Sequence, residues 1–165
     1  GETAMGAYPV EAVTHMSRIA SVVEQKLDFS RLGSRGDDHS GGTVTYAISG
    51  AAVQIAEEVG VSAIIAITSS GWTAQRVAHR RPRTRIIGST RREKSFRRLA
   101  LPWGVEPILI DDYATTDEMV DVAITCAERL GLVERGESVV VTSGLPHGIS
   151  GTTNMVQIRR IGGGD

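Results

Sequence analysis

The stretch Ala63-Ile64-Ile65-Ala66-Ile67-Thr68-Ser69-Ser70-Gly71-Trp72-Thr73 limits the possible folds of this chain more than any other. From Ala63 to Thr68 it carries no charge and is rich in isoleucine, so it predicts a strand buried on both faces. A strand of that kind needs a covering layer above and below it. The small residues that follow, Thr68-Ser69-Ser70-Gly71, predict a strand-to-helix turn. At such a turn hydroxyls and backbone N–H groups converge on a helix N-terminus, where the helix dipole favours negative charge. Two readings stay open on the residues alone: a pocket for the phosphate of a small anion, made by Thr68, Ser69, Ser70, Gly71, Trp72 and Thr73, or an ordinary turn with Ser70 capping the helix.

The rest of the chain alternates between helical and strand periodicity. After an irregular start to Ala7, Pro9 opens a helix expected over Tyr8 to Asp28, with Val13, Met16, Ala20, Val23 and Leu27 as its apolar stripe. Ser30 to Gly42 reads as a polar loop. A second helix is expected from Gly42 to Val59, its stripe formed by Val44, Ile48, Ala51, Ala52, Ile55 and Val59, with Gly60 as its stop. Beyond the turn a helix runs from Trp72 to Arg81 and ends before Pro82. Ile86 to Thr90 is then a strand, Arg92 to Leu101 a helix with a thin apolar face of Phe96, Leu99 and Ala100, and Val105 to Ile110 a buried strand.

Thr115-Thr116-Asp117-Glu118 has capping-box form and starts a helix lined by Met119, Ala123, Cys126, Ala127 and Leu130. Ser138 to Thr142 is another buried strand, and Gly144 to Thr153 a glycine-rich loop. In the last strand, Met155 to Ile161, Gln157 and Arg159 alternate with Val156 and Ile158, which predicts one wet face and an edge position. Helices alternating with strands across short connections imply parallel strands and right-handed crossovers. The expected fold is α/β, a three-layer α/β/α sandwich of one domain. In open sheets of this class ligands bind beyond the carboxyl ends of the strands, where the Thr68 to Thr73 turn falls.

Charge and composition narrow the functional classes. The 18 Lys and Arg balance 19 Asp and Glu, giving a net charge of -1 that points to neither nucleic acid nor an anionic membrane. Ten basic residues crowd between Arg76 and Arg98, beside one acid, Glu93. They form either an anion-binding patch or, since Phe96 is the only aromatic among them to stack bases, a solvated or acid-paired face. The single cysteine, Cys126, lies among apolar helix positions and suits a reducing compartment and a buried thiol. No signal-peptide progression and no apolar run of membrane-spanning length are present, so a cytoplasmic location is expected. His15, His39, His79 and His147 lack ligand spacing, which argues against a metal site, and no catalytic constellation emerges from spacing. The loop around His147, Gly148, Ser150 and Gly151 can approach a ligand closely or serve only as a connection.

Several segments resemble the carboxy-terminal domain of pyruvate kinases. They are Gly1-Glu2-Thr3-Ala4-Met5-Gly6-Ala7-Tyr8-Pro9-Val10-Glu11-Ala12-Val13, Thr68-Ser69-Ser70-Gly71 with Thr73-Ala74, and Arg80 with Pro82-Arg83 before Ile86-Ile87. Thr115 to Met119, Val139 to Gly144 and Gly151-Thr152-Thr153-Asn154 continue the likeness in the same order. The resemblance implies that residues 1–7 are the end of a catalytic barrel and residues 8–165 the regulatory domain, with a five-stranded, mostly parallel sheet and an antiparallel edge strand at the C-terminus. It implies a parent enzyme that moves a phosphoryl group from phosphoenolpyruvate to ADP with magnesium and potassium. All catalytic residues and metal ligands would then lie outside this chain, leaving the chain alone inactive and without a cofactor. It also implies a homotetramer joined through this domain, and an effector phosphate held at Thr68 to Thr73 with help from the loop near Gly148. Because many such domains carry a basic or small residue where Trp72 stands, and those regulated by fructose bisphosphate a basic residue near Met119, the expected effector is a sugar phosphate or a nucleotide. The alternative is a purely structural module with a vestigial loop.

Overall fold

A computed structural model describes residues 1–27, 43–145 and 152–163. In chain order the elements are α1 (Glu2–Met5), α2 (Pro9–Glu24), α3 (Val44–Val59), β1 (Ala63–Ile67), α4 (Trp72–His79), β2 (Arg85–Thr90), α5 (Glu93–Leu99), β3 (Val105–Leu109), α6 (Thr116–Arg129), β4 (Ser138–Gly144) and β5 (Thr153–Arg160). The strands form one sheet in the order β3-β2-β1-β4-β5. β1 pairs in parallel with β2 and with β4, and β5 runs antiparallel to β4.

All five residues of β1 are buried, as a strand without a polar face requires. Its side chains alternate between two cores. Ile64 and Ala66 pack with Ala52 and Ala56 of α3, Ala74 and Val77 of α4, and Leu99 of α5. Ala63, Ile65 and Ile67 pack with Met119, Val120 and Ala123 of α6. The sheet thus has three helices on one face and one on the other. Crossover handedness accounts for the faces taken by α4, α5 and α6: the chain steps outward from β1 through β2 to β3, then doubles back to β4, and a right-handed connection in the reverse direction puts its helix on the opposite face.

Helix ends follow their sequence signals. Thr43 caps α3, its hydroxyl accepting from Tyr46 N at 3.4 Å, and Gly60 closes the helix at φ 71°. Thr115 Oγ1 accepts from Glu118 N at 3.2 Å, while Glu118 reaches back to Ala114 N at 2.7 Å, one residue earlier than the simplest capping box. Cys126 is buried against the Leu109 carbonyl.

Some expectations need correction. Residues 2–5 are helical, held by a bond from Tyr8 N to the Glu2 carboxylate. α2 forms, but buries none of its residues: Val13 is 54% and Met16 62% exposed, because the stripe faces no other part of the described chain. The buried face of α3 is Thr45, Ser49, Ala52, Val53 and Ala56, rotated from the expected stripe so that Val44 and Val59 point outward. Small side chains let the helix sit close to the sheet, and that decides the face over hydropathy. Ala100 and Leu130 are exposed as well, and Ser95 takes an inward place on α5.

β3 is an edge strand buried only at Val105 and Ile108, which is where Pro107, unable to donate to a ladder, is tolerated. β5 lies at the other edge as expected, yet its wet and dry residues do not sort as the alternation predicts. Ile158 is 50% exposed, whereas Arg159 leans onto α6 and bonds Asp121 at 3.0 Å. The segment from Ser30 to Gly42 lies outside the described residues.

At Gly88 a Cβ would stand 2.9 Å from Val105 and 3.2 Å from Leu99, both core side chains. Gly88→Ala should therefore destabilise the domain by about 1–3 kcal/mol in urea denaturation. Thr115→Ala, losing one cap, should lower stability by about 1 kcal/mol in the same measurement.

Candidate functional site

The strand order places a topological switch point between β1 and β4, the crevice where open α/β sheets take ligands. The turn Thr68 to Thr73 leaves the carboxyl end of β1 on one side of it. β4 ends on the other side at Gly144, and β5 begins at Thr153.

Four hydrogen bonds set the shape of the turn. Thr68 N donates to Ser89 O at 2.8 Å, which extends the β1–β2 ladder by one residue. Gly71 N donates to Thr68 Oγ1 at 3.0 Å, so Thr68 closes the turn from within. Ser95 Oγ, from α5, donates to Ser69 O at 2.7 Å. Thr73 Oγ1 and Thr153 Oγ1 are 2.8 Å apart and buried, a bond that crosses the crevice.

Gly71 is the N-cap of α4 and has φ 92°, a left-handed conformation that glycine adopts without steric cost. The N-cap position falls on Gly71 and not on Ser70, and the backbone fold at Gly71 does the turning. Ser69 and Ser70 are half-buried, and Trp72 is 40% exposed on the first helical turn. Arg76, one turn further on, lies 4.3 Å from the centroid of the Trp72 ring. The mouth of the turn therefore combines small hydroxyl residues, a helix N-terminus, an indole and a guanidinium, a set suited to one phosphate and an adjoining flat or polar group.

The base of the neighbouring loop is held by a two-point clamp. Asn154 accepts from Leu145 N at 2.9 Å and donates to Leu145 O at 2.8 Å. Within the loop, His147, Gly148, Ser150 and Gly151 lie outside the described residues. The structure thus brings Thr68 to Thr73 together and joins them to Ser95 and Thr153, neither of which was among the site residues expected from the sequence. Ser95 is 26 residues from Ser69 and Thr153 is 80 from Thr73, so no local spacing could have revealed either contact.

Much of the basic run is engaged with other parts of the chain. Arg85 pairs with Glu106, Arg91 with Asp112 and Arg97 with Glu93, while Arg80 covers Tyr46 and Arg91 covers Tyr113. Among the described residues no cluster of three or more His, Cys, Asp or Glu is placed to hold a metal ion, and no helix is long and apolar enough to cross a membrane.

Removing the Thr153 hydroxyl would leave that of Thr73 without this buried partner. Thr153→Val is expected to lower stability by about 1–3 kcal/mol in denaturant melts, and Thr153→Ser to recover most of it.

Comparison with known proteins gives a consistent picture. The profile of the family described as "Pyruvate kinase, alpha/beta domain" matches residues 46–159. A pyruvate kinase of Geobacillus stearothermophilus is 45% identical over 161 residues, covering 98% of this chain and 27% of that protein. A pyruvate kinase of Clostridium acetobutylicum is 37% identical over 159 residues, covering 96% of this chain and 34% of that protein. Among solved structures, a pyruvate kinase from Cryptosporidium parvum superposes with a TM-score of 0.78 at 29% identity, covering 96% of this chain and 31% of that one. The chain spans about a quarter to a third of the length of these relatives.

Proposed function

Because this chain belongs to the pyruvate kinase alpha/beta-domain family, we propose that it is the effector-binding and subunit-contacting part of an enzyme that transfers a phosphoryl group from phosphoenolpyruvate to ADP in the cytoplasm. Residues 1–7 would then be the end of the preceding catalytic barrel. The transfer itself, with its magnesium and potassium, would be carried by residues outside this chain, which alone would turn over no phosphoenolpyruvate.

The observation that carries the effector reading is the placement of the Thr68 to Thr73 turn at the switch point, with its hydroxyl residues on the N-terminus of α4. Ser69, Ser70 and Thr73 would take one phosphate, and the exposed indole of Trp72 would cover the sugar or base attached to it. An effector bound here acts on a distant site only by favouring one conformation of the protein over another.

A second reading has support of its own. Thr68 and Thr73 already bond within the chain, and the apolar residues of α2, among them Val13, Met16 and Ile19, are exposed. A module whose role is assembly alone, with α2 as contact surface and the turn vestigial, would look the same.

Calorimetry separates the two readings. The effector reading expects fructose 1,6-bisphosphate, glucose 6-phosphate or AMP to bind, and Ser70→Ala to weaken that binding by about tenfold, the loss of one hydrogen bond to a charged group. If none of the three gives heat, and kinetics of the parent enzyme ignore all of them, the assembly reading stands.

A further inference from the structure

The C-terminal end of α4 grips two other parts of the chain at once. Arg80 lies over the Tyr46 ring at 4.4 Å and donates to Tyr46 O at 3.3 Å, which fastens it to α3. Arg81, the next residue, turns elsewhere and lies over the Trp103 ring at 4.6 Å. The division comes from the backbone. Arg81 has φ 51°, the only positive value at a non-glycine among the described residues, and this conformation is disfavoured for any residue carrying a Cβ.

Trp103 in turn donates its indole N–H to the Glu24 carboxylate at 3.2 Å, at the last residue of α2. α2 buries none of its own residues, and this exposed contact ties its end to the sheet domain.

We propose that Arg81, Trp103 and Glu24 form a latch through which an anion seated at Thr68 to Thr73 is felt at α2. The proposal rests on the effector reading of that turn. α4 connects the two places: its eight residues include no glycine or proline, so it moves as one rod about 12 Å long, with the turn at one end and Arg81 just beyond the other. An anion bonded to the first turn of α4 pulls on the rod along its axis. The latch at the far end can respond because it is weak. An exposed cation–π contact favours the closed form by only about two- to fivefold, so latched and unlatched forms coexist and a ligand that prefers one shifts the balance.

The test is amide hydrogen exchange over the last turn of α2, Ser21 to Glu24, with and without saturating inorganic phosphate, whose binding is followed separately by calorimetry. Phosphate is expected to slow exchange there at least threefold in the unaltered chain. Arg81→Gly keeps the left-handed backbone and removes the guanidinium, and should bind phosphate within twofold of the unaltered chain yet show no such slowing. Trp103→Leu, which leaves α4 intact, should behave in the same way. Phosphate binding without any change at α2, or a normal response in both variants, overturns the latch and leaves the effector reading standing. Absence of phosphate binding in the unaltered chain overturns both.

Discussion

The full burial of β1 is the constraint on which the rest of this structure depends. A strand whose side chains are all shielded from water must have both of its edges paired and both of its faces covered, because neither its backbone groups nor its apolar surface has another favourable partner. β1 meets the first condition by lying centrally, between β2 and β4. It meets the second with α3 and α4 on one face and α6 on the other. The central position also creates the switch point, since a chain that begins in the middle of a sheet must build outward on one side and then return to the other. The location of the candidate site is thus a by-product of packing the most apolar strand at the centre.

How much of this was legible in the sequence depended on the range of the interactions. Elements set by local chemistry lie within a few residues of where periodicity placed them. β1 follows its isoleucine run, α6 begins at its capping box, and α3 ends at Gly60. Burial was less legible wherever the partner decides it. The stripe on α2 is as regular as any in the chain and yet stays exposed, because periodicity shows that a face is apolar without showing what covers it. For α3 the alanine and hydroxyl residues won over the valines, since closeness to the sheet outweighed hydropathy.

The candidate site shows the same division. The turn was visible as a run of small residues after a buried strand. Its internal bond, from Gly71 N to Thr68, spans three residues and belongs to the local chemistry of hydroxyl turns. The contacts with Ser95 and Thr153 arise only because β2 and β5 return to the neighbourhood of β1, a property of topology that spacing does not encode. The basic run illustrates the converse. Its density left an anion patch and an acid-paired face both open, and which one forms is decided by distant partners: Arg80, Arg85, Arg91 and Arg97 are drawn to aromatic rings and carboxylates of their own chain.

The clamp formed by Asn154 on Leu145 has a consequence for how such a domain can vary. By bonding both the amide and the carbonyl of Leu145, the Asn154 side chain fixes the point where chain leaves β4 relative to the point where it enters β5. What lies between those two points is relieved of holding the strands in register. Doubling the length of such a connection adds only about 0.6 kcal/mol of closure entropy, so it can lengthen, shorten or change composition while the edge strand stays aligned. The clamp thus separates the heritable shape of the sheet from the composition of the connection between β4 and β5, and lets that composition drift without putting the fold at risk.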